Sequence, residues 1–243
     1  MNPEEYAQLF RLGEIHWWFV GTRDILSSCA PTDSLRGKPI LDAGCGSGLM
    51  MKRFAEVGPV FGIDYNRDAL VHCRGLGFSR LCHADARTLP FKSGIFGLVI
   101  AADLLEHCEN DVAVLQEASR VTAHQGTLLA SVPAYEKLWG AHDVALHHKR
   151  RYSRKELIRK VEAAGFKVER VTHFNTLLFA PVALSRLTLG KLRKVSPDYR
   201  IEYHENLRLL NRLLLGALRT ERWLLGRFDL PFGLSLLLLA TRE

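Results

Sequence analysis

The sequence predicts an α/β fold organised around a parallel, doubly wound sheet. Two observations carry that prediction. Short apolar, β-branched runs alternate with helical patterns through the first two-thirds of the chain, as consecutive βαβ units require. A glycine-rich turn, Gly44-Cys45-Gly46-Ser47-Gly48, follows the first of those runs directly, where a strand hands over to a helix and backbone can approach a ligand. A length of 243 residues suits one large domain, and 47% apolar with 24% charged residues is ordinary for a globular chain.

The runs at 39–42, 60–64, 80–83, 96–101, 127–132, 168–172 and 235–240 read as strands. Between them, 48–57, 66–76, 110–122 and 154–164 read as helices. The last of these has a clear start: Ser153 as N-cap, Glu156 three residues on, and Tyr152 placed to staple against Leu157. Gly165 supplies its stop. The closing segment, "PFGLSLLLLATRE", is expected to return as an antiparallel edge strand.

Two regions stand outside this rhythm. "IHWWFVGTR" (15–23) gathers three aromatics before the first strand, and the interval before the last strand is long. There Leu207, Leu210, Leu214, Ala217 and Leu218 recur at helical spacing, interleaved with Arg208, Arg212, Arg219 and Arg222. That leucine stripe is expected to lie on the sheet as core. The chain thus divides into an N-terminal helical lid (1–36), a core (37–174), a helical insertion (175–230) and a last strand (231–243), all within a single domain.

Net charge is +7, and its placement is uneven. Residues 147–160 carry seven Lys or Arg against Glu156 alone, and 185–227 carry ten against four Asp or Glu. Two basic patches on an otherwise acidic chain point to an anionic partner or surface, or else to solvated helix faces. The five scattered cysteines form no CxxC pair, so reduced thiols, a cytoplasmic setting and no metal site are expected. The acidic start, Met1-Asn2-Pro3-Glu4-Glu5, does not read as a signal peptide, and no stretch approaches the ~18 apolar residues of a membrane span.

The glycine turn poses the question of its ligand. A dinucleotide loop wants G-x-G-x-x-G, and here Leu49 stands where the third glycine belongs. Asp42, just ahead of the turn, would repel a pyrophosphate and suit a ligand with a cationic end. Asp64 ends the second strand in "GIDYN", where an acid can take two ribose hydroxyls, although a dinucleotide enzyme shows that too. Asp85 in "HADARTLPF" offers a further acid for an exocyclic amine. Adenosine joined to an amino-acid tail satisfies all three without a phosphate.

In order and spacing, "ILDAGCGSG", "GIDYN", "HADARTLPF" and "IAADLLEH" resemble the class I S-adenosylmethionine-dependent methyltransferases, from about residue 39 to 165 and again at the last strand. The resemblance implies a Rossmann-like, seven-stranded, mostly parallel sheet with an antiparallel last strand. It also implies S-adenosylmethionine across the ends of the first four strands. Asp42, Gly44, Cys45, Gly46 and Gly48 would surround the methionine end. Asp64 would hold the ribose, with Tyr65 against the adenine and Asp85 and Ala86 at its edge. Asp103 would line the pocket near the methyl. Similar sequences occur in bacterial quinone and envelope-polysaccharide pathways.

Methyl transfer asks chiefly for alignment and dryness, with a base only where the acceptor must lose a proton. Two places offer one. Glu106 and His107 close the fourth strand, although His107 equally reads as packing for the next helix. "AHDVALHHKRRYS" gathers His142, His147, His148, Arg150, Arg151 and Tyr152 over the expected pocket. It resembles a GHxRRYS-like segment of relatives, with His147 where those have glycine. His148 is the candidate base or hydrogen-bond donor and the others candidate acceptor contacts, against a plain basic approach to the following helix. Relatives with HWWFxGR-like starts imply that Trp17, Trp18 and Phe19 cover the cofactor and that Arg23 reaches its carboxylate.

The function expected is therefore methyl transfer to a small or lipid-linked acceptor, at oxygen. The basic, leucine-rich stretch 175–227 offers a surface for peripheral contact with an anionic membrane. A nucleic-acid (RNA) methyltransferase is the alternative raised by the charge, but no N/D-P-P-Y/F tetrapeptide follows the fourth strand. A nicotinamide-dependent oxidoreductase is disfavoured by Leu49 and Asp42. A binding module that kept the fold without catalysis would not need Asp42, Asp64 and Asp85 together.

Overall fold

A computed structural model describes residues 3–188 and 207–243. Two helices, α1 (Pro3–Leu12) and α2 (Trp17–Cys29), and a short α3 (Thr32–Leu35) precede the sheet. The core then alternates β1 (Ile40–Ala43), α4 (Leu49–Phe54), β2 (Val60–Asp64), α5 (Arg67–Gly75), β3 (Leu81–His83), β4 (Phe96–Ala102), α6 (Asp111–Val121) and β5 (Thr122–Pro133). After α7 (Ala141–Ala145) and α8 (Arg154–Ala163) come β6 (Phe166–Phe174), α9 (Phe179–Thr188), α10 (Arg208–Leu225) and β7 (Ser235–Arg242). The strands form one seven-stranded sheet in the order β3-β2-β1-β4-β5-β7-β6. Its first five strands pair in parallel, and β7 runs antiparallel to both its neighbours.

The strand signals match closely, because each run is bounded by turn residues and the central strands β1, β2 and β4 are buried on both faces, as parallel strands are. One expectation is overturned: β7 is not an edge strand but lies between β5 and β6. Its continuous Leu236-Leu237-Leu238-Leu239 run needs cover on both faces. β6 carries Lys167 and Glu169, paired at 3.3 Å, and tolerates the solvent side.

Apolar side chains from the two faces of the sheet make two cores. On one face Val114, Leu115 and Val121 of α6 join Leu157 and Val161 of α8. On the other, Ile25 and Leu26 of α2 meet Met51 and Phe54 of α4 and Leu218 and Leu225 of α10. Phe96 shares a face with Val99 and Ala101, against strict alternation, because the β4–β5 register shifts between Phe96 and Leu98.

The leucine stripe is only half core. Leu218 packs so tightly on α2 that a Cβ at Gly21 would stand 2.8 Å from the Leu218 Cβ. Toward the start of α10, by contrast, Leu207 and Leu210 are exposed. Asn211 fastens this half instead, accepting from Trp17 N at 2.8 Å and donating to Ile15 O at 3.0 Å. The basic residues expected at 191–200 lie outside the described residues. Among the described residues no helix is long and apolar enough to cross a membrane.

Candidate active site

The carboxyl ends of β1, β2 and β4 open into a cavity of about 960 Å³, at the point where strand order reverses about β1. Asp42, Asp64, Ala86, Asp103, Glu106 and His148 all line it. Seven buried side-chain N or O atoms lack a hydrogen-bond partner among the described residues. Four of them, on Thr22, Asp42, Glu106 and His107, belong to residues lining this cavity. Unsatisfied buried groups are costly, so their concentration here marks the place where a ligand belongs.

At one end stands the glycine turn. Gly46 takes φ +49, and a Cβ there would meet Leu9 Cδ2 of α1 at 3.2 Å. Its N–H donates to Asp64 Oδ2 at 2.9 Å. Asp64 Oδ1 accepts from Asn66 N at 2.8 Å and from the Tyr6 hydroxyl at 3.0 Å. Asp42 is buried, and its Oδ2 has no partner. Burial first, then the Asp64 charge, pushes the Asp42 carboxyl up to about 8. A carboxyl so placed calls for a cationic group, which restores its ionised form.

Just beyond β3, Ala86 is buried at the wall and Asp85 is clasped by Arg87, with Nη2 at 2.6 Å from Oδ2. The Arg87 hydrogen bonds hold the Asp85 carboxyl below its ordinary range. Tyr65 lines the cavity but is largely exposed, beside His83. Arg23 also lines it, with Nη1 donating to Gly13 O at 2.9 Å. Tyr6, Leu9 and Arg87 escaped the sequence reading. An isolated tyrosine in an acidic first helix carries no pattern that links it to an acid 58 residues away.

The opposite end holds the groups with acid–base chemistry. Asp103 sits at φ +50, a costly conformation for a non-glycine residue, and its Oδ1 accepts from Ser131 Oγ at 2.8 Å. It faces the cavity, while protein on its other sides raises its carboxyl. Glu106, 1% exposed, is pushed well above its ordinary range by burial and then by Asp103. His107 is held down to about 3 by burial and by His148. His142, which also lines the cavity, is held down to about 4 by burial and then by Arg186.

His148 Nδ1 lies 3.0 Å from Asp143 Oδ1. Asp143 is wholly buried, and also accepts from Arg151 Nε at 2.7 Å and Gly140 N at 2.9 Å. Burial works to raise its carboxyl, but His148 and Arg151 outweigh that and hold it at about 2. The ionised Asp143 fixes the Nδ1 proton of His148 and leaves Nε2 as the free lone pair.

Several candidate contacts are engaged by partners within the fold. Tyr152 is fully buried, outside the cavity wall, with its hydroxyl donating to Asp111 Oδ2 at 2.7 Å. Arg150 pairs with the same carboxylate, Nη1 to Oδ1 at 3.1 Å. "RRY" therefore ties the loop to the start of α6 through Arg150 and Tyr152, while Arg151, at the wall, is spent on Asp143. His147 is not part of the cavity wall and sits at φ +54, the conformation that favours glycine at this place. Trp17 packs against the Ile25–Leu218 core, and it is Trp18 and Phe19 that reach the cavity. Gly48 caps α4, and a Cβ there would lie 2.8 Å from Cys73 Sγ, so it serves helix packing. Cys45 remains at the wall, 3.8 Å from the same sulfur.

Comparison with known proteins agrees with this geometry. Residues 41–130 match the model of a methyltransferase domain. A protein of Mycolicibacterium smegmatis described as a "Probable S-adenosylmethionine-dependent methyltransferase" is 29% identical over 65% of this chain and 62% of its own length. The ubiquinone biosynthesis O-methyltransferase of Idiomarina loihiensis is 26% identical over 75% of this chain and 86% of its own. The demethylmenaquinone methyltransferase of Geobacillus kaustophilus is 33% identical, but the match covers 43% of this chain and 49% of that one. Among solved structures, an S-adenosylmethionine-dependent methyltransferase of Mesorhizobium loti superposes with TM-score 0.60 at 18% identity, covering 89% of this chain and 95% of that one. The [4+2]-cyclase SpnF superposes with TM-score 0.57 at 18% identity, covering 90% and 81%, so the fold alone does not fix the reaction. With its glycine turn, its three acids and its sheet order, the chain is similar to S-adenosylmethionine-dependent methyltransferases, and its residues 41–130 match a methyltransferase domain.

Proposed function

We propose that this chain transfers the methyl group of S-adenosylmethionine to an oxygen of a small or lipid-linked acceptor. The observation that carries the reading is Asp42, buried beside the glycine turn with its Oδ2 lacking any partner among the described residues. A ligand with a cationic end relieves that cost, whereas a pyrophosphate would add to it, which disfavours a nicotinamide cofactor. Asp42, Gly44 and Gly46 would hold the methionine end, Asp64 the ribose, and Asp85 with Ala86 the adenine edge. When bound, the cofactor supplies an electrophilic methyl on a sulfonium with a neutral leaving group.

The protein's own contribution is alignment, dryness and a proton acceptor. Trp18 and Phe19 of α2 and Leu9 of α1 wall the cavity with apolar surface. His148 Nε2 takes the acceptor's hydroxyl proton, and Asp143 holds the ring and stabilises the imidazolium that forms. The O-methyltransferase names among the relatives support oxygen as the methylated atom. Delivery from an anionic lipid surface would fit the exposed Leu209, Leu213 and Trp223 on α10, a helix that also exposes Arg212 and Arg219.

Calorimetric titration with S-adenosylhomocysteine and with NAD, on wild type and Asp64→Ala, tests the cofactor. Micromolar S-adenosylhomocysteine binding lost in the variant is expected. Binding of NAD alone would sink the reading. Radiolabelled methyl transfer into a lipid extract, compared with RNA, then separates acceptor classes.

A further inference from the structure

Glu106, His107 and His148 each offer a ligand atom, and these three atoms lie within 4.8 Å of one another. Two of the residues bear buried, unpartnered atoms, Glu106 Oε2 and His107 Nδ1. The third, His148, is oriented by Asp143 in the arrangement that metal-ligating histidines use, one ring nitrogen on a carboxylate and the other free. We propose that these three side chains form a divalent-cation site at the acceptor end of the cavity.

The backbone holds the set together. Glu106 and His107 are consecutive in the single 3-10 turn Leu105–His107 that follows β4. Lys149 N donates to Glu106 O at 2.7 Å, which clamps the His148 loop onto that turn. His148 N donates to Asp143 O at 2.9 Å, so Asp143 fixes both the backbone and the ring of His148. Behind it, Arg151 and the Gly140 N–H hold Asp143 in place. All three donors also line the cavity, which leaves a coordination face open to it.

Two imidazoles and one carboxylate form the donor set of catalytic zinc sites and also suit cobalt or iron. Tetrahedral coordination at zinc–ligand distances places donors about 3.3 Å apart, so the widest pair must close by roughly 1.5 Å. A cation here would occupy His148 Nε2 in place of a proton, so His148 would hold the metal and not act as base; as a Lewis acid the cation would lower the proton affinity of an acceptor oxygen, whose proton would pass to water. That role rests on the methyl-transfer reading; occupancy of the site does not.

The test uses the full chain after chelator treatment, titrated with Co²⁺ and then Zn²⁺, read by calorimetry and by the visible absorption of bound cobalt. One equivalent of cobalt, displaced by zinc, is the expected result. Affinity should fall at least about 100-fold in His107→Ala and Glu106→Gln, and about 10–100-fold in Asp143→Asn. It should be unchanged in His124→Ala, a histidine on the exposed part of β5. Should Asp143→Asn lose its cooperative melt, the Glu106 and His107 variants decide. No stoichiometric cobalt binding, or binding that survives both of those variants, overturns the site. S-adenosylhomocysteine titrated into the same samples separates the two readings: intact binding without cobalt removes the cation alone, and its loss removes the cofactor reading.

Discussion

The Tyr6 hydroxyl of the first helix donates to Asp64 Oδ1 at 3.0 Å, across 58 residues of sequence. α1 is thus fastened over the glycine turn through the acid assigned to the ribose. Phe10, one turn on, stacks on His72 at 4.0 Å and fixes the same helix to α5. A ribose hydroxyl and the Tyr6 hydroxyl seek the same oxygen, and a hydrogen bond to a charged acceptor is worth about 1.5–3 kcal/mol. Tyr6→Phe is therefore expected to tighten S-adenosylhomocysteine binding by about tenfold or more. Weaker binding in a calorimetric titration would show that Tyr6 stays in the site as a contact.

Asp42 gives the pH dependence of the empty site. Its carboxyl is held at about 8 in the folded chain against an ordinary 3.8, by burial and then by Asp64. The folded state therefore keeps a proton that the unfolded chain releases, and stability falls as pH rises from about 4 to about 8. Asp42→Asn removes that contribution. Its melting temperature should exceed wild type most near pH 8 and converge with it toward pH 4. Cofactor binding runs the other way. A cationic end favours ionised Asp42, so wild-type affinity for S-adenosylhomocysteine should rise from pH 6 to 8 with release of a proton. Titration in two buffers of different ionisation enthalpy detects that release, which Asp42→Asn should lack.

Adjacent arginines separate structure from recognition. Arg151 is 4% exposed and pairs with the wholly buried Asp143 at 2.7 Å, and its removal leaves that carboxylate only the longer Arg186 contact at 3.5 Å beside His148 and the Gly140 N–H, at a cost of about 3 kcal/mol. Arg150 is more open, and its partner Asp111 keeps Lys160 at 2.7 Å and the Tyr152 hydroxyl, so Arg150→Ala should cost about 1 kcal/mol or less. Urea unfolding of both variants checks the order. A rise in acceptor KM in Arg150→Ala without loss of stability would return that residue to the acceptor site.

The sheet was legible because its strands are short apolar runs between turn residues, and local pattern suffices for them. The place of Asp42, Asp64 and Gly44 to Gly46 at the cavity was legible for a related reason: they sit within a few residues of a strand end. What pairwise sequence spacing hides is the partner of each side chain. Nothing near Tyr152 in sequence announces Asp111, 41 residues earlier, and nothing near Tyr6 announces Asp64. Position β7 was misjudged because chain order does not dictate sheet order, although its unbroken leucines carried the correct hint of burial on both faces. Gly48 is indistinguishable in sequence from Gly44 and Gly46, whereas its φ of +70 and the nearby Cys73 sulfur serve the packing of α4 on α5.

The exposed half of α10 yields the last prediction. Leu209 is 70% exposed and Leu213 63%, four residues apart and so on one helical face, with Trp223 further along at 57%. Leucines so open cost solubility unless something covers them, and Arg212 and Arg219, both exposed on the same helix, favour an anionic cover. Vesicles containing anionic phospholipid should co-sediment with the chain, neutral vesicles should not, and raised salt should release it. Leu209→Glu with Leu213→Glu should abolish sedimentation while leaving S-adenosylhomocysteine binding intact, because no described residue of α10 lines the cavity and α10 joins the lid helix through Asn211 and Leu218, not through these two leucines. Equal sedimentation of the double variant and wild type would assign the leucines to another partner and leave the acceptor to be sought among soluble hydroxyl compounds.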